Sequence, residues 1–134
     1  MIRSATGALL AVLLAAGQVW AGKGWYLLIP FLGQYDEAKP FLEGYKVLTG
    51  EPLSAWNHAA TYDTAAECET DKNVRVQIEH SAYTRASEEY GRLLSEMADP
   101  QTLKVRRLFM ERDNAQTNAL LSGRCIGSDD PRLR

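Results

Sequence analysis

Two histidines, two cysteines and a short run of acids beside an arginine are the side chains of this 134-residue chain with chemistry to offer. His58 and His80 have no cysteine or carboxylate at metal-ligand spacing on one face beside them, so neither a metal set nor a cofactor is expected. His58 reads as a sheet-surface residue and His80 as one on a helix face. Nucleophilic catalysis needs an activated Ser, Cys or Thr next to a base. No Gly-x-Ser-x-Gly turn is present, nor a glycine-rich phosphate loop. Glu88-Glu89 falls on the polar side of a helical pattern, where two carboxylates are simply solvated. Asp129-Asp130-Pro131-Arg132 is different. Two acids and an arginine in a tight turn suit a cation or a partner's charge, or they form an Asx-type turn that closes a strand. The candidate binding residues are therefore Trp25, Trp56, His58, Asp129, Asp130 and Arg132, and no residue is assigned a catalytic role.

The compartment follows from the chain's beginning. Arg3 and the amino terminus form a positive region, Ala8–Ala16 is uninterrupted and apolar, and Val19-Trp20-Ala21 has the pattern a signal peptidase reads. Residues 1–21 are thus expected to be a signal peptide. The alternative, a spanning helix, needs roughly 20 apolar residues, and this run is interrupted by Gly17, Gln18 and Lys23. With no cysteine near the cleavage site, lipid anchoring is not expected. Residues 22–134 would form a single small domain. The place implied is the periplasm or the medium.

Cys68 and Cys125 both lie in that part. In an exported chain an even number argues for a disulfide, and two cysteines pair within the chain in one way only. Two free thiols or an intermolecular link are the other options. The formal charge of −2 lacks the footprint of a nucleic-acid binder. Lys104, Arg106, Arg107 and Arg112, interleaved with Glu111 and Asp113, read as a solvated helix face.

The positioning elements come next. Trp25–Ile29 has the composition of a strand, stopped by Pro30. Residues 31–54 hold no period and are punctuated by Gly33, Pro40, Gly44, Gly50 and Pro52, so a long surface loop is expected, with a short helical turn near Glu37–Tyr45. A loop of that length is itself a candidate site. Ala55–Tyr62 alternates, which puts Trp56, His58, Ala60 and Tyr62 on one face. Asp63 or Thr64 caps a helix, and Thr64-x-x-Glu67 has capping-box spacing. Val74, Val76 and Ile78 alternate as a strand would. From Ser81 the helical pattern resumes, with Tyr83, Ala86, Tyr90, Leu93, Leu94 and Met97 as its apolar stripe. Asp99-Pro100 ends that helix and starts another, whose apolar side is Leu103, Leu108, Phe109, Ala115, Ala119 and Leu120. A kinked helix also fits, but an antiparallel hairpin returns the chain toward Cys125. Arg124–Gly127 is a third short strand and residues 128–134 a polar tail. Trp25 and Trp56 are expected to be buried; exposed, they would form a binding face.

Taken together, Gly24-Trp25-Tyr26-Leu27-Leu28-Ile29-Pro30, Pro52-Leu53-Ser54-x-Trp56, Tyr62-Asp63-Thr64-Ala65-x-x-Cys68-Glu69 and Arg124-Cys125-Ile126-x-Ser128-Asp129-Asp130-Pro131-Arg132-Leu133 resemble a group of small exported bacterial proteins of unknown function. The resemblance covers both ends well and residues 74–121 poorly. It implies bacterial export and a Cys68–Cys125 pairing, and it supplies no catalytic residues.

The fold class expected is α+β: a small three-stranded antiparallel sheet packed on a helical hairpin, with one disulfide tying the helix start to the last strand. The function expected is that of a non-enzymatic accessory or protein-interaction module of the bacterial envelope, using the 31–54 loop or the hairpin on an envelope protein partner. No nucleic acid and no stable membrane span after cleavage enter this reading. A periplasmic protein binding a small ligand or cation at the carboxyl-terminal turn is the alternative. A hydrolase built on His58 and a carboxylate is a third reading, and it lacks a nucleophile.

Overall fold

A computed structural model describes residues 24–134; the signal peptide expected at residues 1–21 lies outside the described residues. β1 (Trp25–Ile29) is the central strand, with β2 (Asn57–Tyr62) on one side and β3 (Arg124–Gly127) on the other, both antiparallel to it. A central strand needs apolar side chains on both faces when both are covered. Leu27 and Leu28, consecutive and so pointing to opposite faces, are both buried.

One face of the sheet meets the helices. Leu27 lies opposite Cys125 on β3, and Cys125 is bonded to Cys68 of α1 (Ala65–Ser95), with Cα atoms 6.0 Å apart. The other face has its own small core of Leu28, Ile126, Leu53 and Trp56, with Tyr26 and Leu133 packed against it. Trp56 does not belong to the strand. Pro52 starts a 3-10 turn at Leu53–Ala55, which the Trp56 amide closes on the Leu53 carbonyl at 3.1 Å, so β2 begins only at Asn57.

The alternation expected along this segment is broken by a bulge. Leu27 pairs with Ala60 but Leu28 pairs with His58, so Ala59 is an extra residue on β2. An extra residue reverses the faces on either side of it. His58 therefore shares the face of Leu28, while Ala60 and Tyr62 share the helix face, where the Tyr62 hydroxyl donates to Asp71 of α1. The single aromatic face expected from Trp56 to Tyr62 does not exist.

α1 starts at the expected capping box: the Glu67 amide donates to Thr64 Oγ1 at 3.1 Å, and Glu67 Oε2 accepts from the Thr64 amide at 3.3 Å. It runs unbroken through Val74, Val76 and Ile78. The β-branched residues there cost only tenths of a kcal/mol each in helix propensity, which a capped helix packed along its length absorbs. Asp99 caps α2 (Pro100–Ser122), accepting from the Gln101 and Thr102 amides at 3.1 and 3.0 Å. The two helices form the antiparallel hairpin, and the chain between them turns through Met97 at φ 54°.

The apolar stripe of α1 ends sooner than its pattern implies. Leu93 is half-buried, whereas Leu94 is half-exposed and Met97 is 89% exposed. On α2, Ala115, Ala119 and Leu120 are buried as expected, but Phe109 is exposed and Met110 takes its place. Among the described residues no helix is long and apolar enough to cross a membrane.

Candidate functional site

Glu111 is the residue whose place most departs from its appearance in the sequence. It sits in a charged stretch of α2, yet its side chain is fully buried. A buried carboxylate persists only when its oxygens are satisfied. Tyr35 donates its hydroxyl to Oε2 at 2.6 Å, Arg107 donates Nε to the same oxygen at 3.0 Å, and the Gly44 amide donates to Oε1 at 3.4 Å. Two of those three donors come from the 31–54 segment. The segment expected to be a long surface loop is therefore pinned to the helical hairpin.

Its own backbone prepares it for this. The chain goes out and folds back, with Gly33 donating to the Lys46 carbonyl, Leu48 to the Phe31 carbonyl, and Asp36 to the Gly44 carbonyl, at 2.8–2.9 Å. Leu32 and Val47 form an isolated antiparallel bridge. Where a helical turn was expected, two successive turns close from Lys39 to Asp36 and from Glu43 to Pro40, with Leu42 at φ 66°. Gly44 is required for space. A Cβ there would lie 2.2 Å from the Tyr35 ring, so only glycine lets the amide and the tyrosine share one carboxylate.

The pinned segment and the hairpin enclose a cleft of about 790 Å³, lined by Tyr35, Tyr90, Leu103, Leu108, Lys104 and Arg107 among others. Phe41 packs its ring 6.3 Å from that of Tyr90, and the Arg107 guanidinium lies 5.5 Å from the Phe41 ring centroid. Lys104 pairs with Glu37 at 2.9 Å, with both side chains more than 60% exposed, a pair of small energetic weight. Both lining cations thus already have acids. The cleft presents aromatic and aliphatic surface with its charge balanced internally, which suits a polypeptide segment better than a charged small molecule.

Hydrogen bonding to Glu111, and then burial, push the Tyr35 hydroxyl up from 10.0 to about 12. A folded-state value above the unfolded one stabilises the protein at lower pH, and that contribution is lost as pH rises from about 10 to 12. Tyr62 is also raised, by burial and its bond to Asp71, so it contributes in the same direction. The stability difference between wild type and Tyr35→Phe is therefore expected to be constant up to about pH 9 and to shrink above pH 10. Urea titrations at a series of pH values measure it, and a difference that does not change with pH would rule out this role for Tyr35.

The residues singled out in the sequence fall into three places. Trp25, Asp129, Asp130 and Arg132 line one cleft of about 430 Å³ at the open edge of β3. Asp130 accepts from the Arg132 amide at 2.9 Å and from Nε and Nη2 at 3.0 and 2.8 Å, which lowers its carboxyl to about 2. This is the Asx-type turn: the acid is occupied by its own arginine two residues on. Trp56 is buried, its indole Nε1 donating to the Glu51 carbonyl at 2.9 Å, whereas Trp25 is only half-buried. His58 lines neither this cleft nor the one over Trp56. It is exposed on β2, with its ring 4.2 Å from that of Tyr26 and Nε2 2.9 Å from Thr61 Oγ1. His58→Ala is accordingly expected to lower stability by less than about 1 kcal/mol and to leave any hydrolytic activity of the preparation unchanged. Thermal melts and an ester and amide hydrolysis screen check both, and activity lost with the imidazole would make His58 catalytic.

Tyr35, Gly44, Tyr90, Arg107 and Glu111 escape a reading of the sequence. Arg107 and Glu111 have the i,i+4 spacing of an ordinary surface pair, and Tyr35 and Gly44 lie where no period exists. Comparison with known proteins finds no matching family model, no matching curated protein and no matching solved structure.

Proposed function

We propose that this chain is an exported bacterial envelope protein that acts as a non-enzymatic accessory or protein-interaction module. Its contact surface is the cleft between the 31–54 segment and the helical hairpin. The observation that carries this reading is the buried Glu111, which holds an otherwise irregular segment in one conformation against α2. Ordering a surface before it binds removes part of the conformational cost of association. The aromatic side chains so held, Tyr35 and Tyr90 with Phe41 beside them, are of the kind that dominate protein contacts. The disulfide fits an oxidising compartment, periplasmic or extracellular. The resemblance to small exported bacterial proteins points the same way, and the mature chain is expected to begin at Gly22 by intact mass.

A photo-crosslinking amino acid placed at position Val105, which lines the cleft and is 39% exposed, tests the reading in exporting cells. One discrete protein adduct is expected there and none from the same probe at the exposed Gln77 on α1. The adduct should weaken when Glu111→Ala releases the segment. No adduct at Val105, or equal adducts at both positions, would defeat the proposal.

A further inference from the structure

A second cleft, of about 400 Å³, lies on the opposite side of the sheet from the helices, lined by Thr49, Glu51, Pro52, Leu53, Trp56, Arg124 and Arg132. Its floor is apolar: Leu53 and Trp56 are buried members of the small second core. Arg124 leaves β3 at the position paired with Leu28, and its guanidinium lies 5.9 Å from the Trp56 ring centroid. The indole is itself fixed, because its N–H is spent on the Glu51 carbonyl. Among the described residues Arg124 makes no ion pair and no side-chain hydrogen bond; the ring is its partner. A guanidinium resting on an aromatic face keeps its fork of N–H donors available at its edge.

Arg132 contributes from the other end of the cleft. Asp130 holds its Nε and Nη2, which stiffens the side chain and neutralises its charge but leaves Nη1 without an acceptor among the described residues. Glu51 also lines the cleft, and among the described residues it forms no ion pair with either arginine. Taken together, the cleft holds one cation without a paired acid, one spare donor beside it, and an apolar floor.

We propose that this cleft binds a carboxylate carried on an apolar or ring-bearing body, with Arg124 gripping the carboxylate and the body resting against Leu53 and Pro52. A planar carboxylate matches the fork geometry of the Arg124 guanidinium, which no acid pairs among the described residues. A phosphate dianion fits less well, because Glu51 in the lining repels a second negative charge. The site is distinct from the cleft beside Glu111 and does not depend on the function proposed for it.

The Trp56 indole N–H is a built-in reporter. The disulfide-bonded protein, labelled with nitrogen-15, is titrated with benzoate, with its neutral isostere benzamide, and with inorganic phosphate. Benzoate is expected to give a saturable shift of the Trp56 indole signal and benzamide none. Arg124→Ala should weaken benzoate binding by about tenfold or more, since a charged hydrogen-bond partner is lost. Arg124→Lys, which keeps the charge and loses the fork, should fall between. The unliganded Trp56 signal and the melting temperature of each variant show that it is folded. Absence of a saturable shift, equal binding of benzamide, or unaltered binding by folded Arg124→Ala would overturn the proposal. Tighter binding of phosphate than of benzoate would overturn the carboxylate assignment.

Discussion

Replacing Cys68 and Cys125 together by alanine is expected to lower the stability of this protein by about 4 kcal/mol and its melting temperature by roughly 15 °C. The bridge closes a loop of 57 residues, and that length sets the entropy removed from the unfolded chain. Domains of this size have roughly 5–15 kcal/mol in total, so the loss is a large share. The native-state geometry adds to the case. Cys68 is fully buried at the first turns of α1, and Cys125 lies on β3, an edge strand of four residues. Without the bridge, β3 keeps its pairing with β1, the burial of Ile126, and the 2.7 Å bond from Lys72 Nζ to the Gly123 carbonyl. Those contacts are few, and fraying of the carboxyl-terminal strand would uncover Leu28 and Trp56 as well. Non-reducing peptide mapping identifies the linked peptides, and thermal melts with and without reductant give the energetic effect. Two free thiols in protein recovered from the periplasm or medium, or a melting temperature indifferent to reduction, would refute this.

Glu111→Ala is expected to cost about 3 kcal/mol and to free the 31–54 segment. Truncation leaves Tyr35, the Gly44 amide and Arg107 without their shared acceptor, and leaves a void in the middle of α2. The wild-type carboxylate also carries a desolvation cost, so the loss reflects stranded partners more than the intrinsic strength of the cluster. Glu111→Gln keeps the volume and one acceptor oxygen, and its effect should be smaller. Two measurements separate local from global consequences: urea unfolding for stability, and trypsin cleavage after Lys46, which lies within the pinned segment. Rapid cleavage after Lys46 in a protein that is otherwise folded is the expected signature. Wild-type resistance to trypsin in Glu111→Ala would mean that the segment is held by something other than this carboxylate.

Local chemistry alone marked where the two helices of this fold begin. Thr64 and Glu67 mark the start of α1 because a capping box satisfies amides within one turn, and Asp99-Pro100 marks the hairpin because proline acts on its immediate neighbours. The disulfide was legible too, since two cysteines in a chain expected to be exported have one internal partner each. What the tertiary structure decided are the matters that depend on residues far apart in the chain. The bulge at Ala59 is invisible in an alternating pattern, yet it sends His58 and Tyr62 to opposite faces of the sheet. Whether Glu111 is solvated or buried depends on Tyr35 and Gly44, 76 and 67 residues away. A charge on a helix carries no local mark of its burial, because the donors that make burial tolerable arrive from elsewhere in the fold. Arg124 reads as a polar residue on a short strand until Trp56, brought in by the turn after Pro52, is placed beneath it. Caps, breaks and periods act over a few residues and can be read from the chain; partnership for a buried or stacked charge acts through space, and only the folded molecule sets it.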